Sequence, residues 1–146
     1  MGTFYVKGSI EHMVRREKSV DVPQMLVDTG SEHTWVPANL LEKIGVKREK
    51  KDVTFEMANG QHITRNIGFA IVRWDQHFTI DEVVFAEDDD LPLLGARSLE
   101  GMNLTVDSRR KKLVAAGPIP AAPTTCYFEP DAVRGNLIRL PDETMR

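Results

Sequence analysis

The sequence predicts a mainly β domain, a barrel or sandwich with one or two short helices. Three observations predict it. Short runs rich in β-branched and aromatic residues recur up to about residue 116, separated by turn signals. Asn59-Gly60, the strongest short hairpin signal, stands between two such runs. Helical patterning is confined to two brief stretches.

Thr3–Ile10 and Val20–Val27 read as strands, with Pro23 expected where the second begins, a position strands tolerate. Asn39-Leu-Leu-Glu-Lys-Ile-Gly is one or two amphipathic turns after Pro37, ended by Gly45 in the C′ place. Val53–Ala58 runs into Asn59-Gly60, and Gln61–Trp74 continues as a long second arm. Asp75-Gln76 is another turn and His77–Ala86 the returning strand. Leu91–Leu94 is a short apolar run that stops at Gly95, and a brief helix follows around Ala96–Glu100. Asn103–Asp107 and Lys112–Ala116 close the body as a pair.

With 146 residues, 41% hydrophobic and 28% charged, one domain can bury a core, and the expected division is a body over 1–116 and an extension over 117–146. Five of the eight prolines (Pro118, Pro120, Pro123, Pro130, Pro141) fall in that extension, which excludes regular sheet interior there; Ala132–Leu140 is the place for a short element. A net charge of −3 argues against nucleic acid as the main partner, because phosphate binding needs a concentrated basic surface. No apolar run approaches the length that crosses a bilayer, so no membrane partner is expected. The N-terminal stretch lacks a secretory h-region, and Cys126, the single cysteine, allows no intrachain disulfide. Both point to the cytoplasm.

The informative stretch is Met25-Leu-Val-Asp-Thr-Gly-Ser-Glu-His-Thr-Trp-Val-Pro. An apolar strand delivers Asp28 to a tight turn, and Gly30 removes the Cβ that would block close backbone approach. A carboxylate at the end of a buried strand is costly unless backbone N–H groups or hydroxyls satisfy it, and Thr29 and Ser31 flank Asp28 with hydroxyls. An isolated Asp-Thr-Gly is as readily a plain polar turn. Here Leu93-Leu94-Gly95 and Ser98-Leu99 follow downstream, after the hairpin tipped by Asn59-Gly60.

This ordered set resembles the retropepsin-like aspartic proteases. They combine a hydrophobic–Asp–Thr–Gly turn, a flap hairpin, a hydrophobic–hydrophobic–Gly run and a short helix. The likeness is strongest to the small bacterial and archaeal predicted aspartyl proteases, through Ala58-Asn59-Gly60, Leu93-Leu94-Gly95, Leu99-Glu100, Val106-Asp107 and Arg109-Arg110, and covers roughly residues 3–115. It implies a closed acid-protease barrel and an aspartic endopeptidase with no metal and no cofactor. Asp28 would be the catalytic carboxylate, supported by Thr29, Gly30 and Ser31. Thr29 would reach across a dimer axis, and Ser31 would bond near the carboxylate. Met57–Ile63 would be the flap, with Met57, Ala58, Asn59 and Gly60 over a peptide or protein substrate. It is shorter than retroviral flaps and carries only Gly60, where those are glycine-rich. Glu32 and His33 stand where retroviral enzymes carry acidic residues that touch substrate. Arg97 is displaced by one position from the arginine of many retroviral members, which leaves a pair with Glu32 open. Trp35 and Val36 line a subsite or, more commonly for such residues, fill core.

Aspartic proteolysis uses two carboxylates sharing one proton, one as base toward water and one as acid toward the substrate carbonyl. One Asp-Thr-Gly and no internal repeat cannot supply both, so activity requires a homodimer with an Asp28 from each chain. The pair would titrate in two steps, with activity falling once the second proton leaves and an acidic to mildly acidic optimum. The alternative is a non-catalytic homodimer that holds a peptide or protein on the same fold.

Other signals are weaker. His12, His33, His62 and His77 have no ligand-like spacing with one another or with Cys126. Glu87-Asp88-Asp89-Asp90 lacks the alternation and glycine of a calcium loop and reads as a solvated connection. Lys47–Lys51 is a mixed-sign run expected at a wet surface.

Overall fold

The structure, a computed structural model, describes residues 3–122. Cys126 and the element expected at 132–140 lie outside them.

β1 (Tyr5–Glu11) and β2 (Ser19–Val27) form an antiparallel hairpin. Val6 pairs with Met25 and Gly8 with Val22, so Pro23 and Gln24 together oppose a single residue of β1. Pro23 therefore lies within the strand and not at its start. The bulge absorbs its missing N–H, and β7 pairs with β2 only at Leu26 and Val27.

β3 (Thr34–Pro37) is a strand that sequence periodicity misses. Thr34, Trp35 and Val36 are all buried, so no apolar–polar alternation marks it. α1 (Ala38–Lys43) starts directly after Pro37, and Gly45 at φ +83° ends it as expected.

β4 (Lys50–Glu56), β5 (His62–Trp74) and β6 (His77–Ala86) make an antiparallel meander. β4 begins before the expected Val53. An irregularity at Asp52 (φ +54°), whose N–H donates to Asn66 Oδ1 over 3.0 Å, lets Lys50 rejoin the ladder opposite Ile67. The mixed-sign run is thus partly strand, and Arg48 lies over the Phe85 ring at 4.3 Å.

β7 is only Leu93–Leu94 and leads through Gly95 into α2 (Ala96–Gly101). β8 (Leu104–Asp107) and β9 (Lys112–Ala115) form a separate two-stranded sheet. Asn103 Nδ2 donates to the Gly117 carbonyl (2.7 Å), tying down the chain just past β9.

The large sheet runs β1-β2-β7-β3-β6-β5-β4, and a further β1–β5 pairing closes it into a ring with β4 outside on β5. The ring encloses the main core, including Ile10, Val22, Met25, Val36, Leu41, Val83, Phe85 and Leu94. A second cluster of Trp35, Ile67, Val84 and Ala86 packs with Val53, Phe55, Ile63 and Leu93 beneath the β4–β5 hairpin. The fold is mainly β with two short helices, as the sequence predicts. Among the described residues, no helix is long and apolar enough to cross a membrane.

In the 87–90 loop Glu87, Asp88 and Asp89 are exposed as expected, and Asp90 alone is drawn in. Arg65 donates to both Asp90 carboxylate oxygens (2.7 and 2.9 Å), with only 15% and 10% of the two side chains exposed.

Candidate active site

Two parallel strands hold the Asp-Thr-Gly turn. β2 lies beside β7 with Val27 opposite Leu94, and the Asp28 N–H donates to the Leu94 carbonyl (3.1 Å). The chain then turns, the Ser31 N–H donating back to the Asp28 carbonyl at 3.2 Å. Asp28 is half-buried, and its Oδ1 accepts the Gly30 N–H at 2.9 Å. A Cβ on Gly30 would stand 3.2 Å from that same oxygen.

The hydroxyls are arranged differently from expectation. Ser31 Oγ donates to the His33 carbonyl (2.9 Å), away from the Asp28 carboxylate. Thr29 is exposed and does not line the cleft in front of the turn; it borders two other grooves, one shared with Asp28, Phe4 and Leu26 and one with Leu104 and Val106. The reason is the docking of α2. Its leading N–H groups, on Ala96 and Arg97, donate to the carbonyls of Ser31 (2.8 Å) and Glu32 (3.0 Å), which fixes the path out of the turn. Gly95 makes this approach possible, because a Cβ there would collide with the His33 carbonyl.

Behind the turn lies a buried polar chain; Gly95 and Ser98 stand in the downstream motif, but nothing in the sequence marked their bonding to Thr34 and Asp81. The Gly95 N–H donates to Thr34 Oγ1 (3.0 Å), Thr34 and Ser98 hydroxyls meet at 2.6 Å, and Ser98 Oγ donates to Asp81 Oδ2 (2.8 Å). A hydroxyl has one proton, so Ser98 giving its own to Asp81 makes Thr34 the donor to Ser98. Every polar atom in the chain is thereby satisfied without water.

In front of the turn a cleft of about 550 Å³ opens. Asp28, Gly30, Ser31, Glu32 and His33 line one side, and Met57 and Ala58 line the other. Thr54, Phe55 and Glu56, not singled out in the sequence, complete it with Trp35 and with Leu93 of the Leu-Leu-Gly run. Trp35 is therefore both core and cleft floor, while Val36 is core alone.

Asn59 and Gly60 form the hairpin tip without lining the cleft. The Met57 N–H donates to the Gln61 carbonyl (2.8 Å) and the Gly60 N–H to the Met57 carbonyl (2.9 Å), with Gly60 at φ +86°. This is a three-residue loop closed by a left-handed glycine, not a two-residue Asn-Gly turn. Asn59 Oδ1 accepts the Gln61 N–H, which stiffens the tip.

His33 sits edge-on to Phe55 (5.6 Å between centroids), and Phe55 leans on Trp35 at 5.2 Å. His33 Nε2 is 3.4 Å from both Glu82 Oε1 and Arg97 Nη1. The Lys50 ammonium at 3.0 Å, aided by His33, holds the Glu82 carboxyl below its ordinary value. Arg97 faces Asp81 (3.9 Å) and Glu82 (4.0 Å), and reaches Glu32 only through backbone.

A half-buried Asp-Thr-Gly carboxylate on a closed β ring, beside a hairpin-roofed cleft, defines the aspartyl protease class. The gag-polyprotein putative aspartyl protease family model matches residues 19–101, more than half of the chain, and the chain belongs to that retropepsin-like family. The match spans β2 to α2 and includes the turn, the hairpin and the Leu-Leu-Gly run. No curated protein matches the chain.

Proposed function

We propose that this protein is a homodimeric aspartic endopeptidase in which two Asp28 carboxylates, one from each chain, share a proton across the dimer axis. One carboxylate takes a proton from water, and the other gives its proton to the substrate carbonyl as the peptide bond is attacked. Gly30 holds Asp28 through its N–H, and Thr29, exposed on the side away from the cleft, faces the second chain. Met57 and Ala58 close over a peptide and exclude water. Glu32 and His33 contact it from below. Residues 1–116 form the catalytic domain, 117–146 an extension to it, and the cytoplasm its compartment.

The observation that carries this reading is the single Asp28 on a braced turn, lining a cleft of about 550 Å³, a size suited to a peptide segment. The test is cleavage of a mixed peptide library between about pH 3 and about pH 8, with the dimer verified by sedimentation and Asp28→Asn run alongside. Cleavage lost in the variant and blocked by a statine-type mimic supports the proposal. A verified dimer that binds the mimic and cuts nothing would move the assignment to a non-catalytic peptide-binding homodimer.

A further inference from the structure

Resting on the peptidase reading above, we infer that the cleft selects peptides with a cationic side chain, arginine or lysine, flanking the scissile bond.

Two independent features of the cleft point to this chemistry. The first is charge. Asp28, Glu32 and Glu56 line the cleft, and among the described residues no lysine or arginine does. Among the described residues, Glu56 meets only His62 (3.2 Å) and Glu32 forms no ion pair. The nearby cations are already matched: Lys50 with Glu82, and Arg97 with Asp81 and Glu82. A second chain brings a second Glu32 and Glu56 to the same substrate, while the shared proton leaves the Asp28 pair with one negative charge, and a walled cleft focuses such a field.

The second feature is the wall. His33, Phe55 and Trp35 form a continuous run of rings, at centroid spacings of 5.6 and 5.2 Å. Ring faces attract cations, and the aliphatic stem of arginine or lysine packs on the same surface. Carboxylates alone would suit any cation, and rings alone any apolar group. Together they suit a long side chain with an apolar stem and a charged end. Arginine fits best, because its planar guanidinium both stacks on rings and bonds carboxylates.

The experiment measures binding and cleavage separately on the full chain. Fluorescent statine-based peptides, identical except for arginine, norleucine or glutamate placed in turn at each flanking position, are titrated by anisotropy. Arginine at one position is expected to bind about tenfold tighter than norleucine, the scale of one cation on a desolvated aromatic face, with glutamate weakest. Glu32→Gln and Phe55→Leu are each expected to shrink that gap, and added salt to narrow it further. Equal binding of arginine and norleucine, no binding by any peptide, or a gap that survives both substitutions would overturn the inference. Cleavable versions of the same peptides separate it from the reading beneath it. Arginine preference in binding with no cleavage supports the inference and sinks the peptidase assignment. Cleavage indifferent to charge does the opposite.

Discussion

The hydroxyls of Thr34 and Ser98, 64 positions apart in sequence, meet at 2.6 Å with both residues fully buried. Their bond joins β3 to α2, and through Asp81 it also ties in β6. It lies directly behind the segment from Ser31 to His33 that carries the chain out of the Asp28 turn. Removing one member costs its neighbours hydrogen bonds they make while buried. Thr34→Val, close in shape, strands the Gly95 N–H and takes from Ser98 Oγ the bond it accepts, leaving it only the one it gives to Asp81. It is expected to destabilise the fold by about 1–3 kcal/mol, read as a lower midpoint in urea at unchanged slope.

Asp28→Asn separates chemistry from structure. Its side-chain oxygen still accepts the Gly30 N–H, so thermal stability is expected to stay close to that of the parent. Peptidase activity is expected to fall by about 10²- to 10⁴-fold or more, the range for losing a positioned acid–base group. A variant that keeps its activity would remove Asp28 from the mechanism.

Gly95→Ala tests the close approach of α2 to the turn. Backbone conformation is not the obstacle, since Gly95 is extended (φ −94°, ψ 175°). The added methyl meets the carbonyls of His33 and Ser31, neither of which can swing aside as a side chain would. An overpacking penalty of about 1–3 kcal/mol is expected, with loss of activity in the folded fraction as the turn shifts. Calorimetry alongside an activity assay reads both.

Acid should weaken the fold in the range where an aspartic peptidase works. Arg65 holds the Asp90 carboxyl below its ordinary value of 3.8, and Arg73, with Arg16, holds Glu11 below 4.5. The folded state therefore takes up these protons at lower pH than the unfolded chain. The stabilisation is complete above those ordinary values and is lost as pH falls through the depressed ones. The melting temperature of the parent is expected to drop steeply below about pH 4. Asp90→Asn, less stable at neutral pH, should show a shallower decline, and equal slopes would discount the pair.

If two chains build one site, activity per mole of chain must fall on dilution. Below the dimer dissociation constant, rate should change from first to second order in protein concentration. A specific activity constant over several decades of dilution, down to monomer by sedimentation, would show that one chain suffices.

The hairpins and turns were legible in the sequence because their causes are local. Asp75-Gln76 joins two strands paired residue for residue from Trp74 and His77, Gly45 ends a helix from the left-handed region, and the Asp-Thr-Gly motif names its own carboxylate. β3 was not legible, because its partners, β6 and β7, come much later in the chain and its two faces are buried in different clusters, Val36 in the main core and Trp35 in the second. The place of Pro23 depended likewise on a bulge against β1, which only the pairing reveals. In the site, Asp28, Glu32, His33, Met57 and Ala58 were readable from motif order, and they do line one cleft. The course of the Ser31 hydroxyl was not, nor were Phe55 and Glu56 as lining. Residue type alone thus determined the carboxylate, the glycines around it and the mainly β character, because each rests on chemistry within a few residues. Which hydroxyl bonds which oxygen, and that Thr34, Ser98 and Asp81 form one satisfied chain behind the turn, only the tertiary structure decided. A hydrogen bond is a matter of a few tenths of an ångström between atoms that the closing of the ring brings together from distant parts of the chain.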